Sequence, residues 1–330
     1  MKVGVLQFFS WPGRRADIAA VYERALARIA IMDQSGFDAV WLAEHHFSDF
    51  SVCPSVHMMA TLAAARTRRL RIGTAVSLAP FYHPLRLAEE VALLDVLSGG
   101  RVNWGAGRGF ARVEFENFGV PPQESASRFR ETVEIVLKAW TEERLHFVGR
   151  HFRFEAVEVL PKPLQQPHPP VWMAATSQEA IAWAAGRGFS ILMDPHSAHR
   201  EIGAKRRFYN ERLAAAGFSI EGRDIPVARL VALAGTADKA AAVARRGALW
   251  ILNSYLGAQH RPVLSADLVP AGVDPLARYL DEVILHGTVD SVTEQILRLR
   301  AEIGLDYLLA APLSHESFML LAERVLPRLL

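Results

Sequence analysis

The chain has 330 residues, with 37 Lys and Arg against 35 Asp and Glu, a formal net charge of +2. That near-balance gives no broad electrostatic footprint for nucleic acid, and no basic stripe is interleaved with aromatics. Hydrophobic residues make up 51%, enough for a large core, yet no apolar run approaches the ~18 residues that span a bilayer, so no membrane partner is expected.

Met1-Lys2-Val3-Gly4 leads straight into a first strand, Val3 to Phe9, without the basic and apolar stretches of a signal peptide; a cytoplasmic protein is expected. An amphipathic stretch, Asp17 to Ser35, follows, then a strand at Ala39 to Ala43 and another at Arg71 to Ser77. Helical spacing returns at Leu85 to Leu97 and ends at Ser98-Gly99-Gly100, where glycine tolerates the left-handed cap. The alternation continues: strand Val102 to Ala106, helix Ser127 to Trp140, strand Val171 to Ala174, helix Gln178 to Gly186, strand Ser190 to Met193. Helix Ala198 to Ala216, strand Val227 to Ala234, helix Val292 to Ile303 and strand Tyr307 to Ala311 complete it. Most of these eight strands are apolar throughout, as in a parallel sheet covered on both faces. Eight βα units without a long linker predict a TIM-type (β/α)₈ barrel, one domain over 1–330. Such a barrel needs about 250 residues, which leaves roughly 80 for insertions. These are placed near 145–170, with a hairpin turning at Gly149-Arg150, and near 260–288.

Barrel enzymes place chemistry at the C-terminal ends of their strands. After the second strand comes Glu44-His45-His46-Phe47, and histidine is the side chain best suited to moving protons near neutral pH. A loop histidine with a capping or solvent role is the alternative. Metal is not expected: there is no HExxH pattern, the other histidines supply no clear third ligand, and Cys53 is the sole cysteine. After the fourth strand, Gly105-Ala106-Gly107-Arg108-Gly109-Phe110 departs from a dinucleotide fingerprint at Phe110. It reads either as a turn stripped for a ligand, with Arg108 aimed at an anion, or as a tight turn with a solvent-facing arginine. After the fifth strand, Ala175-Thr176-Ser177 opens a helix whose free amides suit a phosphate, although capping alone is also common. Phe8, Phe9, Trp11, Phe110 and Trp250 are candidates for an apolar substrate wall, or for ordinary core.

Together these residues resemble the bacterial luciferase family of flavin-dependent monooxygenases. The matching stretches run in order along nearly the whole chain: 36–47, Gly73-Thr74-Ala75-Val76, 83–90, Leu93-Leu94-Asp95, Ser98-Gly99-Gly100-Arg101, 104–109 and 183–188. The resemblance implies reduced FMN (FMNH₂) as cofactor, supplied by a separate flavin reductase, and O₂ as co-substrate reacting through a C4a-peroxyflavin. It puts His45 in the place of the catalytic histidine and Arg108 in that of the phosphate-binding arginine. Ala175, Thr176 and Ser177 match the phosphate turn, where luciferase carries a glutamate at the position of Ala175. Ala75-Val76 matches a non-proline cis peptide under the isoalloxazine ring, and Glu114 an acidic residue near the flavin edge. Luciferase has a cysteine at the position of Gly107, which argues against light emission. An aldehyde, ketone or hydrocarbon suits the expected wall. The rival readings are hydride transfer with deazaflavin F420 and a non-catalytic flavin-binding subunit. The resemblance also suggests a homodimer, with the small-residue helix face at Ala60, Ala63, Ala64 and Ala65 as part of the interface.

Overall fold

The computed structural model describes residues 1–254 and 272–330. Its strands are β1 (Lys2–Gln7), β2 (Ala39–Leu42), β3 (Arg71–Thr74), β4 (Ser77–Leu78), β5 (Val102–Gly107), β6 (Leu145–Val148), β7 (Arg153–Val157), β8 (Val171–Ala174), β9 (Ser190–Leu192), β10 (Pro226–Leu233), β11 (Leu285–Gly287) and β12 (Tyr307–Pro312). The α-helices are α1 (Ile18–Ser35), α2 (Val56–Arg66), α3 (Pro84–Ser98), α4 (Arg112–Asn117), α5 (Ser125–Thr141), α6 (Gln178–Ala185), α7 (His199–Ala215), α8 (Ala237–Ser254), α9 (Pro275–Arg278), α10 (Val289–Ile303) and α11 (His315–Leu320).

Strands pair in the order β11-β10-β12-β1-β2-β3-β5-β8-β9, with β4 beside β5. Every ladder in this sheet is parallel, for example Leu6 opposite Trp41 and Trp104 opposite Val171. Beyond β9 the chain meets β10 at one parallel bridge, Met193 to Val227, where the Met193 amide donates to the Pro226 carbonyl and the Ala228 amide to that of Met193, both at 3.0 Å. The result is an α/β fold built on a curled parallel sheet.

Strands that read as uniformly apolar alternate between two cores, because successive side chains leave a strand on opposite faces. Val3, Val5, Val40, Leu42, Val227 and Val231 pack outward with the helices. Leu6, Trp41, Trp172, Ala228, Leu230 and Leu309 pack inside the curl. Trp41 shows how tightly that interior is filled. Its Nε1 donates to Tyr307 Oη at 3.1 Å, and a Cβ added at Gly73 would come within 2.4 Å of its ring. Replacing so large a buried side chain with alanine costs about 3–5 kcal/mol.

The helices stop where expected, with Gly36, Gly99 and Gly304 left-handed at φ of 90°, 69° and 69°. The strand expected over Arg71 to Ser77 is interrupted: β3 ends at Thr74, the Ala75-Val76 bond is cis, and β4 continues along β5. The 145–170 segment contains the expected antiparallel hairpin of β6 and β7, capped by Glu131 of α5, which accepts the amides of Arg150, His151 and Phe152. Of the second expected insertion, 260–271 lies outside the described residues. The rest holds α9, a π-turn at Tyr279–Val283 and β11, which adds to the sheet beside β10. Among the described residues no helix is long and apolar enough to cross a membrane.

Candidate active site

A cavity of about 280 Å³ lies beyond the C-terminal ends of the sheet strands, its walls supplied by β1, β2, β5, β8 and β9 and the loops that follow them. A polar cavity at the opposite strand ends is larger, but two of its charged groups are already engaged: Lys2 pairs with Asp224 at 2.6 Å, and Arg71 donates to the Asn103 side-chain oxygen at 2.7 Å. Among the described residues no group of three or more His, Cys, Asp or Glu side chains is placed to hold a metal.

The loop after β2 is organised by two buried carboxylates. Glu44 accepts the Leu78 amide at 3.3 Å and the Tyr82 hydroxyl at 2.9 Å, and pairs with His46 Nε2 at 2.9 Å. Burial, then the Glu44 charge, pushes the Tyr82 phenol far above its ordinary range, so it remains a donor. Glu114 of α4 accepts the His46 amide at 3.1 Å and stands 3.8 Å from His45 Nδ1. The adjacent imidazoles thus diverge. His46 packs edge-on against Phe118, ring centres 4.8 Å apart, and does not line the cavity. His45 does, between Phe8, Phe50 and Phe110 at 6.2, 5.2 and 6.4 Å.

Arg108 enters the same cavity from the end of β5 and makes no hydrogen bond or ion pair among the described residues. Burial lowers its affinity for its proton only within a range that keeps it a cation, with Glu179 opposing the shift. Thr176 and Ser177 line it at the start of α6, where Ser177 Oγ accepts the Ala180 amide at 3.2 Å. Ala75, Val76 and Gly107 form a wall without long side chains. A Cβ at Gly107 would sit 2.3 Å from Val76 Cγ2, so only glycine lets β5 pass there.

Five expected site residues do not line the cavity: Glu114 is buried beside His45, and four others are elsewhere. Phe9 follows Phe8 on β1's exit and so points to the opposite face, into the outer core against Tyr22. Trp11 donates Nε1 to the Ala16 carbonyl at 2.7 Å and carries Arg14 over its ring. Trp250 on α8 packs at the margin of the inner core. Ala175 is buried in the outer core, whereas Thr176 and Ser177 line the cavity.

Two groups escaped the reading of the sequence. Arg130 of α5 and Glu179 of α6 both line the Arg108 end and pair at 2.6 Å. They sit 49 residues apart, and nothing local marks either. The second group is Asp194-Pro195-His196, which lines the cavity directly after β9. Asp194 accepts the amides of His196 and Ser197 at 3.0 and 2.7 Å, the Ser197 hydroxyl at 2.9 Å and Lys205 Nζ at 3.0 Å. Arg278 donates to the His196 carbonyl at 3.2 Å and Arg229 to that of Ser197 at 2.8 Å. Tyr279 Oη lies 2.9 Å from His196 Nδ1. Its location beside a strand end was the available signal.

Comparison with known proteins sets this geometry in a lineage. Residues 1–307 match the family model described as luciferase-like monooxygenase. The oxygenase component of a flavin-dependent trigonelline monooxygenase from Acinetobacter baylyi is 27% identical over 298 residues, 87% of this chain and 81% of that protein. Monooxygenase RslO1 from Streptomyces bottropensis superposes with a TM-score of 0.87 at 28% identity, over 99% of each chain. The coenzyme F420-dependent tetrahydromethanopterin reductase of Methanopyrus kandleri shares the fold at a TM-score of 0.78 and 18% identity, over 100% of this chain and 99% of that one.

Proposed function

The chain belongs to the luciferase-like monooxygenases, a family of enzymes, and from that premise we propose that it is the FMNH₂-dependent oxygenase of a two-component system, using O₂ to oxidise a small, largely apolar molecule. The observation that carries this reading is the convergence on one cavity of His45, the opening of α6 and a half-buried Arg108 that makes no hydrogen bond or ion pair among the described residues.

The donor set fits a flavin phosphate. Arg108 is a cation with no hydrogen bond or ion pair among the described residues, and the first amides of α6 with the Thr176 and Ser177 hydroxyls suit an anion. The smooth wall of Ala75, Val76 and Gly107 suits a flat ring. When bound, the reduced flavin supplies the electrons that activate dioxygen. The chain's own residues do the rest. Arg108, Thr176 and Ser177 fix the position of the ring by its phosphate. With Nδ1 turned toward Glu114, His45 exchanges a proton with the substrate through Nε2. Phe8, Phe110, Leu78 and Leu192 keep water from the reacting atoms.

We read the Met193–Val227 bridge as the closure of a single (β/α)₈ barrel. A flavin reductase is the expected partner, which accords with a cytoplasmic setting. Ala60, Ala63 and Ala64, expected in an interface, are buried against the chain's own core, so the exposed apolar side chains of α2 and α3 are read instead as the face of a homodimer.

The test is a fluorescence titration with FMN, FMNH₂ and F420, followed by oxygen uptake with FMNH₂ across aldehydes, ketones and alkanes. Binding of FMNH₂ with oxygenated product from one compound class is the expected result. Indifference to both forms of FMN overturns the reading, and tight binding of F420 alone replaces it with hydride transfer. Peroxide release whatever the compound points to a non-catalytic flavin-binding subunit.

A further inference from the structure

Arg229 sits in the middle of β10, and its side chain leaves the strand on the same face as Val227 and Val231, toward the covering helices. It is completely buried. Nη1 donates to the Ser197 carbonyl at 2.8 Å, which sets the guanidinium against the start of α7, whose first residue is His199. Nε and Nη2 have no hydrogen-bond partner among the described residues. The neighbouring charges are matched in pairs, Asp194 with Lys205 at 3.0 Å and Glu201 with Arg278 at 2.7 Å. Burial lowers Arg229 to about 10, with Asp194 and Glu201 opposing the fall, so it remains a cation at neutral pH.

A buried cation left in this state is costly. A water molecule satisfies the two nitrogens but does not balance their charge. The surroundings favour an anion. α7 is 17 residues long, so its first turn presents amides without helical partners at the positive end of the helix dipole. Its N-cap is Ala198, whose methyl group cannot cap those amides as Ser177 does on α6. His199 Nδ1 is buried there and also lacks a partner. Burial, then the Arg229 charge, lowers that ring to about 3, so it is neutral at physiological pH and can carry its hydrogen on Nδ1 as a further donor.

We propose that Arg229 Nε and Nη2, with the opening of α7 and His199 Nδ1, form an internal binding site for one monovalent inorganic anion of about the size of chloride. Neither Arg229 nor His199 lines the cavity, so the site is separate from the one proposed for flavin and does not depend on that reading. A single unmatched positive charge selects a monovalent anion over sulfate or phosphate dianions. The same guanidinium holds the Ser197 carbonyl, at the end of the Asp194-Pro195-His196 segment of the cavity wall, so the anion braces that wall from behind.

Thermal unfolding of the full chain in sodium chloride and in sodium gluconate at equal ionic strength tests this, together with anomalous scattering from crystals soaked in sodium bromide. Chloride at 0.2 M should raise Tm over gluconate by about 2–4 °C and saturably, as for any ligand bound by the folded state alone. Bromide should give an anomalous peak within hydrogen-bond reach of Arg229 Nε and Nη2. Arg229→Met removes the charge and keeps an apolar stem, and should melt alike in both salts and lose the peak. His199→Phe removes one donor only, and should raise the chloride concentration of half-maximal effect severalfold, which keeps the idea testable if Arg229→Met does not fold. Equal melting of the wild type in the two salts overturns the proposal. So does a chloride effect undiminished in Arg229→Met, or a wild-type crystal with water alone at Nε and Nη2.

Discussion

Glu114 Oε1 stands 3.8 Å from Nδ1 of His45 while accepting the amide of the next residue, His46, at 3.1 Å. One buried carboxylate therefore holds the backbone of this loop and places its charge beside the ring. Removing the imidazole by His45→Ala should lower turnover by about 10²–10⁴-fold, the usual worth of a positioned proton-transfer group. Glu114→Gln keeps an oxygen for the His46 amide but withdraws the charge, and should cost about tenfold in kcat with KM little changed. Both are read as product formed per FMNH₂ consumed, beside FMN affinity, which should not move. A Glu114→Gln enzyme with full turnover would reduce the carboxylate to a backbone clamp.

If Arg108 grips the flavin phosphate as proposed, its loss separates phosphate recognition from ring recognition. A charge-assisted hydrogen bond contributes about 1.5–3 kcal/mol, so Arg108→Ala should weaken FMN binding by about 10- to 100-fold. Riboflavin, which has the ring and no phosphate, should bind wild type and variant alike. Fluorescence titration of both ligands decides it. Equal loss for riboflavin would mean that the arginine shapes the pocket instead of gripping an anion. Arg130 adds a second reading of the same end: if it turns from Glu179 toward the phosphate, Glu179→Ala should tighten FMN binding severalfold.

The alternation of strand and helix was legible because each buried strand is an apolar run closed by glycine or a polar cap. β11 was not, since Leu285-His286-Gly287 is three residues long and shows no period. The positions of His45, Arg108, Thr176 and Ser177 follow from a single rule, that loops at strand ends face one mouth. Which residue of a pair faces inward is a matter of the pleat, and that is why Phe8 and not Phe9 reaches the cavity. The His196 wall was invisible for another reason. Asp194-Pro195-His196 reads as a turn until Arg229, Tyr279 and Arg278, 32 to 83 residues further on, are folded against it.

Two histidines that the fold holds neutral, buried His196 and half-buried His199, make stability depend on pH above the carboxylate range. Burial, with Arg229 in support, lowers His196 to about 4 and His199 to about 3, against about 6.5 in an unfolded chain. The folded values lie below the unfolded one, so between them the unfolded chain binds more protons. The contribution of the neutral rings is therefore fully present above pH 6.5 and is lost as pH falls toward 4. Over that window each histidine is worth up to about 3 kcal/mol. Urea unfolding at pH 7, 5.5 and 4.5 should show stability falling across the whole range, and His199→Gln should flatten the slope by about half. A curve level down to pH 5 would contradict the buried neutral rings.

The outer face of α2 and α3 carries an exposed apolar stripe, proposed above as the face of a homodimer. Leu93, Val96 and Leu97 recur at the spacing of one helix face, Leu97 being 59% exposed, and on α2 Met58 is 76% exposed with Leu62 beside it. Pairing of two such faces removes a contiguous apolar surface from water at about 25 cal/mol per Å². The substitutions Leu93→Glu and Leu97→Glu together should then raise the dimer dissociation constant at least about 100-fold, since each places an unpaired carboxylate in an apolar contact. The isolated chain should keep its fold, because both side chains already meet solvent in the monomer. Sedimentation at micromolar concentration reads the outcome directly: a wild-type protein that runs as a monomer removes the dimer, and a double variant that still runs as a dimer moves the interface to another face.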